Sequence, residues 1–148
     1  MSEVTLKFWI VCTFILAVKM WANSMVQVYA RFKYKSFVNP EDAKSFGAML
    51  KTEMSVQPVD HPLAQRAAFC WRNDLENIPL FMFLSLGYVL IGGSEFWALV
   101  YFTVFVFARI LHTIFYISMA QPWRTLAYEL GAFATLAMAV HTVYLALC

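Results

Sequence analysis

Arg109, His112, Thr113 and Tyr116 are spaced i, i+3, i+4 and i+7, so one face of a helix would carry a guanidinium, an imidazole and two hydroxyls. A second set, Arg72, Asn73 and Glu76, shares a helix face through three- and four-residue spacings, with Asp74 and Leu75 between. A third is Arg124, Thr125 and Tyr128, at the opening of an apolar stretch where a helix N-terminus would add its positive dipole end and free N–H groups. In a fourth, Lys19, Asn23, Gln27 and Arg31 recur every four residues. Such an inventory suits a small zwitterionic peptide, with carboxylates for the arginines and an amine for Glu76. Surplus cation and hydroxyls suggest one chemical step, lowering the pKa of a thiol from about 8.5.

Each set also has a plainer reading. Lys19, Asn23 and Gln27 fit an interhelical hydrogen-bond seam, with Arg31 snorkelling at its end. Arg72 and Glu76 fit a self-satisfied ion pair, and Arg124 fits a headgroup anchor. A lone His is more often a hydrogen-bonded core residue, but His112 has Arg109 one turn before it and Tyr116 one turn after.

The elements that position these groups follow from composition. Of 148 residues, 61% are hydrophobic and 14% charged, where a soluble domain carries about 25% charge. The mean hydropathy of +0.63 asks for more apolar burial than one small core supplies, so lipid is the expected solvent. The 14 Phe, 7 Tyr and 5 Trp exclude disorder, and 3 Cys exclude a disulfide scaffold. Eleven Lys and Arg against nine Asp and Glu give no nucleic-acid surface. A spanning helix needs about 20 mostly apolar residues, and four stretches qualify, at about 6–31, 64–91, 95–119 and 123–147. The reading is an all-α integral membrane protein, a four-transmembrane-helix bundle, with residues 1–148 as a single domain.

One long connection remains, at about 32–62. Lys33, Lys35, Lys44 and Lys51 lie in it with Arg31 and Arg66 at its edges, while the connection at Gly92, Gly93 and Ser94 has no cation. The positive-inside rule therefore places the long loop and the turn near Pro122 in the cytoplasm. The first stretch is too long for a cleaved signal peptide and lacks a small-residue cleavage site, so it is expected to be retained. Within the loop, Asn39, Pro40, Glu41 and Asp42 read as an N-cap, a first-turn proline and two first-turn acids of a short helix. Pro79 removes one helical N–H beside Glu76 and is expected to kink that helix. Cys12, Cys70 and Cys148 have no ligand spacing, so neither a metal nor a disulfide is expected.

With this topology, Arg31, Arg72, Glu76, Tyr116, Arg124 and Tyr128 are expected to line one pocket at the cytoplasmic face, with Arg109 and His112 one or two turns deeper. At these residues the sequence resembles the MAPEG superfamily, membrane-associated proteins in eicosanoid and glutathione metabolism, in the branch of microsomal glutathione transferase and microsomal prostaglandin E synthase. The matching blocks are FVNPEDAKSFG (37–47), RNDLEN (72–77), ARILHTIFY (108–116) and QPWRTLAY (121–128). The resemblance implies a homotrimer with glutathione bound between subunits as co-substrate or cofactor, in the endoplasmic reticulum membrane of a eukaryote or the inner membrane of a bacterium.

It further implies that Arg31 reaches the glutathione of the adjacent subunit, that the stretch Arg72, Asn73, Asp74, Leu75 and Glu76 holds the charged ends, and that His112, Tyr116 and Tyr128 line the site. Arg124 is implied as essential to chemistry, Thr125 as a hydrogen-bond donor to the thiolate, and Asp42 as an assisting acid. Phe69 and Cys70 depart from the family's Arg-Ala-His, the connection before Arg124 is one residue shorter, and Ala43 replaces a stress-sensing cysteine. The implied activity is glutathione conjugation to, or peroxide reduction of, lipophilic electrophiles arriving from the bilayer. Two alternatives are a prostaglandin endoperoxide isomerase and a non-enzymatic lipid-binding scaffold.

Overall fold

The computed structural model describes residues 2–148, so the Met1 end of the expected single domain lies outside the described residues. The chain forms α1 (Glu3–Lys33), β1 (Ser36–Phe37), α2 (Pro40–Leu50), β2 (Ser55–Val56), α3 (Pro62–Leu90), α4 (Glu95–Ile117) and α5 (Trp123–Leu147). The long helices pack chiefly as α4 on α5 and α1 on α3, with α1 and α3 each also touching α4.

The core is made where their apolar stripes meet. Leu16, Phe102 and Met138 are fully buried and Ile78, Phe81 and Phe105 nearly so, and the Phe81 and Phe105 rings stack 3.7 Å apart. The outer faces are just as apolar: Phe14 on α1 and Phe133 on α5 are 68% and 65% exposed. Helices that are hydrophobic all round belong in lipid or against further helices. Three of them, α1, α4 and α5, are long and apolar enough to cross a membrane. α3 has the length, but its first half carries Arg66, Arg72, Asp74 and Glu76, and it is not among those three.

Local sequence explains where the helices begin and turn. Pro62 starts α3 at a position where its missing N–H costs nothing, and the His61 ring Nδ1 accepts from the Leu63 N–H at 3.2 Å. The α3–α4 turn is narrow: Gly92 adopts φ +81°, a conformation suited to glycine. α3 continues as helix through Pro79.

The short loop helix begins where the sequence places it, but the cap differs. Asn39 makes no side-chain bond to the helix backbone; its Nδ2 donates instead to the Asp42 carboxylate at 3.0 Å. The loop also holds a small parallel ladder, an addition to the all-helical expectation, pairing Ser36 with Ser55 and Phe37 with Val56. Phe32, Phe37 and Phe46 cluster under it with ring centroids 5.0–5.7 Å apart. The loop is thereby tied to the end of α1.

Candidate functional site

Asp74, on the inner face of α3, is completely buried. Lys19 Nζ of α1 donates to both of its oxygens at 2.5 Å, and Asn23 Nδ2 donates at 2.7 Å. From α4, Arg109 Nη2 donates to it at 3.3 Å. Arg109 also donates to the Asn73 side-chain oxygen, and its Nη2 lies 3.4 Å from His112 Nδ1. Gln27 completes the α1 stripe by donating to the Asn23 carbonyl at 3.4 Å. Lys19 and Asn23 thus form an interhelical seam with Asp74, whereas Gln27 bonds only within α1. Burying these charges is tolerable because they are paired and hydrogen-bonded.

One turn further along α4 the seam opens into a second cluster. The turn at residues 118–122 carries α5 back against α4, and Arg124, in the first turn of α5, sets its guanidinium carbon 4.6 Å over the Tyr116 ring. The nearly buried His112 ring lies 5.7 Å from that of Tyr116 and 6.2 Å from that of Tyr128. The Gln121 amide bonds both neighbours when its oxygen faces Arg124, accepting from Nε at 3.1 Å and Nη2 at 2.5 Å, while its nitrogen donates to Thr125 Oγ1 at 3.1 Å. Thus His112, Tyr116, Arg124 and Tyr128 come together on α4 and α5, with the exposed Thr125 tied to Arg124 through Gln121.

A polar cavity of about 280 Å³ adjoins them, lined by Pro62, Gln65, Arg66, Phe69, Tyr116 and Arg124. Arg66 donates to the Tyr116 carbonyl at 3.3 Å, and Phe69 places its ring 6.5 Å from that of Tyr116. Phe69 thus brings an aromatic face to the rim, and Arg66 supplies a cation there. Among the described residues neither Arg66 nor Arg124 has an ion-pair partner. Two guanidiniums beside a helix N-terminus, with no neutralising carboxylate, make this cavity suited to an anion. On the other side of Tyr128 an apolar groove of about 290 Å³ runs between α3 and α5, past Asn77, Leu80, Leu84, Ala132 and Leu136.

The remaining residues of interest lie elsewhere. Arg72 Nε donates to Glu76 Oε1 at 3.3 Å, but their side chains are 79% and 58% exposed. At 100° per residue they sit roughly 160 to 200° around α3 from Asp74, so the turn of helix that buries Asp74 turns this pair outward. Leu75 is exposed as well. Arg31 forms a bidentate pair with Asp60, Nε to Oδ1 at 2.9 Å and Nη2 to Oδ2 at 2.6 Å. Asp42 is held by Asn39 in the loop. Within one chain, therefore, Arg31 and the Arg72–Glu76 pair do not share the cavity of Arg124, contrary to the expectation of one pocket. The reason is local: α1 spends Arg31 on the loop, and the pitch of α3 sends its ion pair outward.

Two partners escaped the sequence. Asp60 is 29 residues from Arg31 with no periodic link to it. Gln121 lies outside the helix whose first-turn residues it bridges, though the i, i+3, i+4 spacing to Arg124 and Thr125 is a signal that was there to read.

The MAPEG family model matches residues 9–144. A microsomal glutathione S-transferase 1 from Rattus norvegicus is 40% identical over 145 residues, 93% of this chain and 88% of that protein. A prostaglandin E synthase from Canis lupus familiaris is 34% identical over 148 residues, 99% of this chain and 93% of that protein. Another from Bos taurus is 31% identical over 145 residues, 97% and 91% of the two chains. A match from the first turns of α1 to the last turn of α5, covering every helix that carries a residue discussed above, makes this chain a member of the MAPEG family.

Proposed function

We propose that the chain is a membrane-bound glutathione transferase. The observation that carries this reading is the cationic cavity at the start of α5, where Arg124 over Tyr116 and Arg66 face open space without a carboxylate. Glutathione binds with its thiol at Arg124 and Thr125. The thiol proton leaves to water, and the thiolate is held by the guanidinium, the Thr125 hydroxyl and the positive dipole end of α5, where the Arg124 and Leu126 N–H groups are already bonded to the Ala120 and Pro122 carbonyls. Fixed donors aimed at a developing anion in a dry site contribute about 3 kcal/mol each. The thiolate then attacks the electrophilic carbon of a lipophilic substrate, the carbon–sulfur bond forms, and the leaving group departs with its electron pair.

His112, Tyr116 and Tyr128 wall the peptide, and the apolar α3–α5 groove beyond Tyr128 gives the second substrate a path from the bilayer. Arg72, Asn73 and Glu76 hold the charged ends of glutathione, with Asp74 and Leu75 in the same stretch, Asp74 and Arg109 supporting from within. Exposure of Arg72, Glu76 and the apolar faces of α1 and α5 supports assembly as a homotrimer, in which Arg31 serves the neighbouring subunit's glutathione and residues 1–148 act as one domain. In this assembly α3 is the fourth span, shielded from lipid along its charged half. The long loop faces the cytoplasm, in the endoplasmic reticulum of a eukaryote or the inner membrane of a bacterium. Asp42 is a lesser candidate for proton transfer, from the loop side.

A second reading, isomerisation of a prostaglandin endoperoxide, is favoured by the hydroxyl that follows Arg124 and by the similarity to prostaglandin E synthases. Purified protein is given glutathione with an aryl halide or with an endoperoxide. The transferase reading expects a stable aryl conjugate; endoperoxide turnover with no conjugate from the aryl halide favours the isomerase. A lipid-binding scaffold expects neither product, and no loss of glutathione binding in Arg124→Ala.

A further inference from the structure

Gln121 touches both groups to which the proposed chemistry assigns the thiolate, and it is the only side chain that bonds them both among the described residues. Arginine has donors and no acceptor, so the amide must present its oxygen to Arg124 and its nitrogen to Thr125. Two consequences follow from that orientation. The oxygen fixes the Nε and Nη2 side of the guanidinium while leaving its charge in place, as a carboxylate would not. The amide nitrogen donates to Thr125 Oγ1, so the Thr125 proton is directed to some other acceptor. A hydroxyl that accepts one hydrogen bond donates the next one more strongly.

We propose that Gln121 is a positioning residue that pre-sets Arg124 and Thr125 as donors to a thiolate, and thereby raises the ionised fraction of the bound thiol. The inference deepens the transferase reading and rests on it. Gln121 touches neither the sulfur nor the electrophile. The arrangement also needs a neutral amide: glutamate has the same shape but neutralises Arg124 and cannot donate to Thr125 when ionised.

The test is titration of the thiolate absorbance of glutathione bound to the detergent-solubilised protein, for the parent chain, Gln121→Met and Gln121→Glu. Gln121→Met is expected to raise the apparent pKa of the bound thiol by about one pH unit, a tenfold loss of thiolate at a pH below that pKa. Gln121→Glu is expected to raise it further, with glutathione affinity at low pH within threefold of the parent in both variants. A residue that only holds the turn in shape would be rescued by the isosteric glutamate. Parent-like titration in both variants, or rescue by Gln121→Glu, overturns the proposal. Absence of any thiolate band in the parent protein overturns the transferase reading itself, and the proposal with it.

Discussion

Replacing Asp74 by alanine removes the carboxylate that Lys19, Asn23 and Arg109 share, and so tests whether a buried charge seam joins α1, α3 and α4. The N···O distances are 2.5 Å to Lys19 and 3.3 Å to Arg109. Taken as charge separations at an effective dielectric of about 20, they correspond to gross attractions of roughly 7 and 5 kcal/mol. Desolvation of the three charges offsets most of this. The change leaves two buried cations without a counter-charge, and removing one partner of a buried pair costs about 3–5 kcal/mol. The assay is equilibrium unfolding of detergent-solubilised protein followed by helical circular dichroism. The double variant Lys19→Met with Asp74→Ala removes one stranded cation as well, and is expected to lose less than the two single changes added together. A loss below about 1 kcal/mol for Asp74→Ala, a level typical of surface pairs, would refute the reasoning, as would strict additivity in the double variant.

Gly93 and Gly87 make opposite predictions. A Cβ at Gly93 would collide with the ring of Tyr88, which is fully buried, so Gly93→Ala is expected to lose about 1–3 kcal/mol. A Cβ at Gly87, inside α3, meets nothing within 4 Å, so Gly87→Ala is expected to gain up to about 1 kcal/mol in the same unfolding assay. Arg31→Lys keeps the charge beside Asp60 but loses the bidentate geometry. Loosening the loop by about 1 kcal/mol is on the order of fivefold in local opening, read as faster tryptic cleavage after Lys51; an unchanged rate would contradict the tie between loop and α1.

Much of the site was legible because it sits on helices. The spacing of Arg109, His112, Thr113 and Tyr116 identified one face of α4, and Arg109 and His112 on it are buried in contact with α3 residues or with each other. The stripe of Lys19, Asn23 and Gln27 was equally periodic, but its partner Asp74 was hidden among neighbours that face the other way. Angular spacing along α3 separates Asp74 from Arg72 and Glu76; only tertiary packing decides which side is inward. Contacts made by loops carried no such signal. Arg31 meets Asp60 across a connection with no period, and the β1–β2 ladder is two residues long on each side, too short to alternate. At Asn39 the element was legible and the bond was not, since the Asn side chain chose the Asp42 carboxylate over a backbone N–H. The low charge of the chain is what made the exceptions readable: in helices built of Phe, Val, Leu and Ala, a charged side chain must be paired inside, exposed at an interface, or used.

The most direct test of the transferase reading is the ultraviolet difference spectrum of glutathione on binding to the purified protein at neutral pH. Arg124 without a carboxylate partner, stacked over Tyr116 at the start of α5, is expected to produce a thiolate band on binding, and Arg124→Ala is expected to abolish it while the helical content is retained. A band of parent intensity in Arg124→Ala, or glutathione bound by the parent chain with no band at all, would contradict it.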